Sequence, residues 1–198
     1  MTRLLDATLS SVVIIFAMIF IGLFVSLIQK IVVLLIAKLT TPRFTDIFMN
    51  KLTFIGVVHH EMSHLLFAIL TGAKILSVHL FKPDEETDSL GSVSYAIRGP
   101  FLLRGLQAFL ASIAPVICGS VSLFCMFYFV SFDIIWKYIL FGFLGFCIFI
   151  HMDLSTADLK VAAKGLISIF IILMIANYAT QFNAIDFIMD FLSKKGFI

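Results

Sequence analysis

The sequence predicts an all-α helical bundle in a membrane, with about five transmembrane helices and one small β-hairpin. The mean hydropathy is +1.12, and only 13% of the 198 residues are charged, against about 25% in soluble proteins. Several apolar runs also approach the roughly 20 residues that cross a bilayer. Residues 1–198 are therefore interpreted as a single integral membrane domain that contacts lipid. The net charge of +2 is too small to favour nucleic acid as a partner.

Five apolar runs are the predicted transmembrane spans. The segment between the first two spans, residues 38–51, is predicted to be a loop. It carries Lys38, Arg43 and Lys51 against a single acidic residue, so the positive-inside rule places it in the cytoplasm. The spans are residues 9–37, 52–71, 103–131, 134–151 and 161–180.

Residues 75–97, between the second and third spans, predict the β-hairpin. Within this segment Val93, Tyr95 and Ile97 alternate with small residues, which is the period of a strand with one buried face. His79 is expected on the hairpin surface. An ordinary extramembrane loop is the alternative. The residues between the strands predict a solvated acidic tip, formed by Asp84, Glu85, Glu86 and Asp88.

Pro115 and Gly119 lie inside the third predicted span. Proline removes a helical hydrogen bond, and glycine lets a second helix approach closely. The pair predicts a kink or tight helix packing, and a proline that is merely tolerated in a membrane helix is the alternative.

The second span carries the motif His60-Glu61-Met62-Ser63-His64. Positions i and i+4 share one face of a helix, so both imidazoles could bind the same zinc ion. Glu61 lies beside that face, where it could act as a general base towards water. Charged and imidazole groups in lipid are costly unless they face a polar cavity or a metal. Two packing histidines and a paired glutamate are the alternative. His59 points about 100° away from this face.

A catalytic zinc site usually has three protein ligands, and the third is sought in the polar segment 149–160. Asp158 is the first candidate, because Ser155 is a good N-cap and the Ser-x-x-Asp spacing resembles a capping box. Asp153 is the second candidate and His151 is the third. Asp158 could also serve only as a helix cap, since acidic residues favour helix N-termini.

The segment HHEMSHLLFAILTGAKI, residues 59–75, resembles the zinc-binding helix of the site-2 protease family of intramembrane metallopeptidases. In that family a small-residue turn, here 71–73, and β-strands follow the helix. Residues 113–119 are similar to its middle helix, and residues 154–158 are similar to the third-ligand segment of small, divergent bacterial members. The chain lacks the Asn-Pro-x-x-Asp-Gly and Leu-Asp-Gly motifs of the better-known members.

The resemblance implies an intramembrane zinc metalloprotease of the bacterial plasma membrane, a multi-pass protein with one Zn²⁺ per chain. His60, His64 and Asp158 would hold the metal, and Glu61 would be the catalytic base. The substrate would be a membrane-spanning protein or peptide. A non-proteolytic zinc-binding scaffold, such as a maturation or immunity factor, is one alternative. A transporter-like bundle with buried His and Asp residues is another.

Overall fold

The computed structural model describes residues 2–81, 90–131 and 133–194, and over these it is predominantly helical with one two-stranded antiparallel sheet. The elements in chain order are α1 (Thr2–Leu39), α2 (Pro42–Ile47), α3 (Phe54–Leu70), β1 (Lys74–His79), β2 (Ser92–Ala96), α4 (Phe101–Phe129), α5 (Ile135–Ile150), α6 (Thr156–Thr180) and α7 (Ala184–Lys194).

Three helices, α1, α4 and α6, are long and apolar enough to cross a membrane, which is consistent with a membrane protein. The predicted spans 52–71 and 134–151 correspond to the shorter apolar helices α3 and α5, of 17 and 16 residues. At 1.5 Å per residue these two helices are about 24–26 Å long, somewhat less than the roughly 30 Å of bilayer hydrocarbon.

Two segments differ from the sequence prediction. The predicted loop 38–51 instead contains α2, followed by a π-helical turn, Phe48–Leu52. Thr41 caps α2 by accepting a hydrogen bond from the backbone N–H of Phe44, and Pro42 occupies the first turn. Helix α7 was not predicted, because it is amphipathic and shorter than the apolar runs that identify spans.

Helices α1, α4 and α6 form the main core. Phe109, Ala162 and Ile169 are buried there, between α4 and α6 and beside α1. Two glycines let α4 and α6 cross at short range. A Cβ atom at Gly105 would overlap the side chain of Ser168, and one at Gly165 would overlap the backbone oxygen of Gly105. This close crossing fixes the position of α6, whose first turn carries Asp158.

A third glycine, Gly56, brings α3 against the end of α5. A Cβ atom at this position would overlap the backbone oxygen of Cys147 and would lie 2.6 Å from the ring of His151. Gly56 precedes His60 by four residues and therefore lies on the same helix face. The close approach consequently places the end of α5 one turn away from the histidine motif.

The predicted β-hairpin is confirmed at its strands. Val93 and Tyr95 are half-buried, whereas Ser92 and Ser94 are exposed, as the alternation predicted. The alternation was wrong at the end of the segment, because the strand ends at Ala96, which is half-buried, and Ile97 lies beyond it and is exposed. His79 is exposed. The acidic tip, Asp84, Glu85, Glu86 and Asp88, lies outside the described residues.

The strands pair with one irregularity. Tyr95 pairs with Ile75 and Ser94 pairs with Ser77, so Leu76 is an extra residue in β1. Such a β-bulge changes the local twist and the direction in which the neighbouring side chains point.

A buried glutamine attaches the base of the hairpin to α4. The Gln107 side chain, with no exposed surface, donates to the backbone oxygen of Thr71 at 3.0 Å and accepts from the backbone N–H of Arg98 at 2.8 Å. Arg98 in turn donates to the backbone oxygen of Gly72 at 3.0 Å. The end of α3, the exit of β2 and α4 are therefore held together beside the motif.

Candidate metal centre

Two imidazole rings face each other on α3. The Nε2 atoms of His60 and His64 are 3.0 Å apart, and the ring planes are inclined at 75°. His64 is buried and His60 is half-buried. The arrangement follows from the i, i+4 spacing, which places both side chains on one face of the helix.

The other nitrogen of each ring is held by a backbone carbonyl group. His60 Nδ1–H donates to the oxygen of His151 at 2.6 Å, and His64 Nδ1–H donates to the oxygen of Ala111 at 2.7 Å. Because a carbonyl oxygen can only accept, each Nδ1 carries the proton, and a neutral ring then presents an unprotonated Nε2. Two nitrogen lone pairs are thus directed at one point, an arrangement that a metal cation placed between them would stabilise.

Both carbonyl groups are available for a reason that the local structure supplies. In a helix the oxygen of Ala111 would accept from the N–H of residue 115, but that residue is Pro115, which has no N–H. His151 lies just beyond the end of α5, where backbone oxygens have no partner within the helix. The buried Pro115 therefore frees the acceptor that orients His64.

Asp158 brings a carboxylate to the same point. Its Oδ1 atom lies 3.6 Å from His64 Nε2, and one ligand atom from each of His60, His64 and Asp158 lies within 4.8 Å of the other two. The Oδ2 atom accepts hydrogen bonds from the backbone N–H and the hydroxyl group of Ser155, at 3.1 and 2.6 Å. The predicted capping box is present, so Asp158 caps α6 with one oxygen and presents the other to the histidines.

These three groups could hold a metal ion such as zinc. Ligand atoms of a tetrahedral zinc site lie about 2.0–2.2 Å from the metal and hence roughly 3.3–3.6 Å from one another. The two separations from His64 Nε2, 3.0 and 3.6 Å, lie near the ends of this range, and all three ligand atoms lie within 4.8 Å of one another. Two neutral imidazoles and one carboxylate, each hydrogen-bonded on its far side, form a donor set of the kind found in catalytic zinc sites.

Glu61 lies beside the triad under strand β2. Its side chain is half-buried and is hydrogen-bonded by the backbone of Val93. A Cβ atom at Gly91 would lie 2.8 Å from Glu61 Cγ. The strand therefore needs glycine at this position to pack directly on the carboxylate.

The other candidate residues have different partners. His59 Nε2 is 2.9 Å from the hydroxyl of Ser122 on α4, consistent with its expected direction. The ring of His151 bonds to the hydroxyl of Thr53 at 2.8 Å, so this residue reaches the site only through its backbone oxygen.

Asp153, the second-ranked candidate ligand, does not join the cluster of three among the described residues. Burial raises the pKa of the Asp153 carboxyl group, and the charge of Lys30 on α1 partly opposes this rise.

Tyr95 is a site residue that the sequence did not single out. Its hydroxyl group lies near the side chain of Ser112, a buried hydroxyl that has no close hydrogen-bond partner among the described residues. Burial raises the pKa of Tyr95, and the charge of Asp158 contributes to the rise. The only sequence signal was the alternation that placed Tyr95 on the inner face of β2.

No protein-family model matches this chain, and neither does any curated protein or solved structure. The assignment of a function therefore rests on the geometry of the site.

We expect purified protein to carry close to one zinc ion per chain, and His64→Ala to lose most of it, because two ligands of a three-ligand site do not hold zinc tightly. Elemental analysis is the measurement. His59→Ala and His79→Ala are matched controls that should retain the metal. Equal zinc in wild type and in a His60/His64 double alanine variant would contradict the assignment.

The two roles of Asp158 can be separated. Asp158→Asn should lose most of the zinc, since it removes the anionic ligand. Ser155→Ala leaves the carboxylate in place but removes its hydrogen bond and the cap, so zinc affinity should fall about 10- to 100-fold and stability by about 1 kcal/mol. Zinc titration and thermal unfolding in detergent measure both effects. Asp153→Asn is the control, and greater zinc loss in that variant would reverse the ranking.

Pro115→Ala should weaken zinc binding without destabilising the helix. The new N–H can donate to the oxygen of Ala111 and compete with His64, and loss of the hydrogen bond that orients a metal ligand costs about 10- to 100-fold in metal affinity. A restored helical hydrogen bond should leave the melting temperature of the metal-free protein equal or higher. A zinc affinity equal to that of wild type would show that the freed carbonyl does not matter.

Proposed function

We propose that this chain is an intramembrane zinc metalloendopeptidase that hydrolyses a peptide bond in a membrane-embedded substrate. One observation carries the proposal. Two imidazole lone pairs converge with a carboxylate oxygen at a single point, and a second carboxylate, Glu61, lies directly beside them. A metal-binding triad with an adjacent non-ligand carboxylate is the donor set needed for hydrolysis by activated water.

The chain's own residues account for the proton transfers. Zinc, when bound by the triad, would lower the pKa of water and polarise the scissile carbonyl group. Glu61 would accept the proton from the attacking water and then deliver it to the departing amine. The backbone of Val93 orients the Glu61 carboxylate for both transfers.

The surroundings suit an apolar substrate. A cavity of about 490 Å³ lies between α1, α4 and α6 and is lined mainly by apolar side chains, including Leu159, the neighbour of Asp158. A transmembrane helix has its carbonyl groups engaged, so the substrate must unwind locally before cleavage. Strand β2, which lies over Glu61, offers backbone groups that could hold the unwound segment extended, as in strand addition.

The resemblance of residues 59–75 to site-2 proteases agrees with this proposal, as does the presence of three helices that could cross a membrane. On this basis the protein would reside in the plasma membrane of a bacterium and act on membrane-spanning proteins or peptides. A zinc-binding scaffold without hydrolytic activity would use the same triad and would not need Glu61.

Glu61→Gln should therefore abolish hydrolysis and leave zinc content unchanged. The loss expected for a general base is about 10²- to 10⁴-fold. The assay incubates the detergent-solubilised, zinc-loaded protein with a panel of single-span transmembrane peptides and identifies products by mass spectrometry. His79→Ala is the control with full activity, and a chelator should stop cleavage until zinc is restored. A wild-type protein that binds zinc and cleaves no member of the panel, or a Glu61→Gln variant as active as wild type, would contradict the proposal.

A further inference from the structure

The inner face of β2 covers the reacting groups of the site. Residues i and i+2 of a strand share one face, so Val93 and Tyr95 point the same way. The backbone of Val93 contacts Glu61, and Gly91 allows the strand to pack against the same side chain. Tyr95 therefore lies on the same face of β2 as Val93, two residues beyond the point where the strand contacts Glu61.

The Tyr95 hydroxyl group lies between groups that belong to the triad. On one side is Ser112, the residue after Ala111, whose backbone oxygen holds His64. On another side is Asp158, close enough for its charge to act on Tyr95. The bulge at Leu76 in β1 lies opposite Tyr95 and Ser94. Such a bulge changes the direction in which the neighbouring side chains point.

Several hydrogen-bond donors near α3 already have partners. Among the described residues, His59 bonds to Ser122, the His151 ring bonds to Thr53, and the Arg98 side chain donates to Gly72. The Tyr95 hydroxyl lies near that of Ser112, which has no close hydrogen-bond partner among the described residues and can accept from Tyr95 or donate to it. Rotation about its C–O bond can direct the proton to a ligand instead.

From this geometry we infer that Tyr95 is a catalytic residue that donates a hydrogen bond to the carbonyl oxygen of the scissile peptide bond. This inference rests on the proposed peptide hydrolysis. Water attack places negative charge on that oxygen, and a preorganised donor in a site shielded from solvent stabilises the charge more than it stabilises the neutral amide. Ser112 is a positioning residue that holds the phenol in place when no substrate is bound.

Tyr95→Phe tests the inference because it removes one oxygen atom and keeps the packed ring. The kcat for a transmembrane peptide should fall about 10²- to 10³-fold, the effect of losing one such donor. The KM, the zinc content and the melting temperature should stay as in wild type. Ser112→Ala should lower kcat less, and Tyr128→Phe, an exposed tyrosine at the end of α4, should have no effect.

A binding measurement gives a second readout that does not depend on turnover. A peptide phosphinate carries a tetrahedral, negatively charged group in place of the scissile carbonyl, so Tyr95→Phe should weaken its Kd by at least tenfold. Affinity for the uncleaved amide peptide, measured on the Glu61→Gln background, should not change.

Three results would overturn the assignment of Tyr95. They are a wild-type kcat in Tyr95→Phe, an unchanged phosphinate affinity, and a loss of activity in proportion to a loss of zinc. If the wild type cleaves peptides and Tyr95→Phe is fully active, the assignment of Tyr95 is rejected and the proposed hydrolase function is retained. A wild type that neither cleaves peptides nor binds the phosphinate rejects both.

Discussion

The site depends on a pair of imidazole rings that are each fixed by a hydrogen bond from Nδ1 to a backbone oxygen. Neither ring can rotate without breaking that bond, so both Nε2 atoms stay directed at the same point, 3.0 Å apart. The acceptors come from α4 and from the end of α5, and the carboxylate comes from α6. The relative positions of these three groups therefore depend on how α3, α4, α5 and α6 pack together.

The sequence predicted the parts of this site that are encoded by side-chain spacing. The two histidines follow from an i, i+4 pattern, the start of α6 from the Ser155 capping box, and the hairpin from an alternation of period two. Each of these patterns lies within a short stretch of sequence, so it can be recognised without knowledge of the tertiary structure. Asp158 could be ranked above Asp153 only because the cap fixes where the helix begins.

The parts that the sequence did not predict depend on contacts between distant segments. The acceptors at residues 111 and 151 are backbone oxygens, which every residue possesses, so no side-chain pattern marks them. In the sequence, Pro115 is equally compatible with a kink, with close helix packing and with simple tolerance. Only the hydrogen bond from His64 to the freed backbone oxygen of Ala111 shows its role. Tyr95 carries no motif. The sequence leaves a cap and a metal ligand as alternatives for Asp158, whereas in the structure one oxygen caps α6 and the other faces His64, so the two roles are compatible.

The chain order of the three candidate ligands has a consequence for biosynthesis. Both histidines lie on α3, whereas the carboxylate lies on α6, which is synthesised only after α4 and α5 have supplied the carbonyl groups that orient the rings. A nascent chain that ends after α3 therefore has two of the three groups but not the complete triad. The triad forms only when the glycines of α4 and α6 come together, so under the proposed function a partly synthesised chain would have no hydrolytic activity.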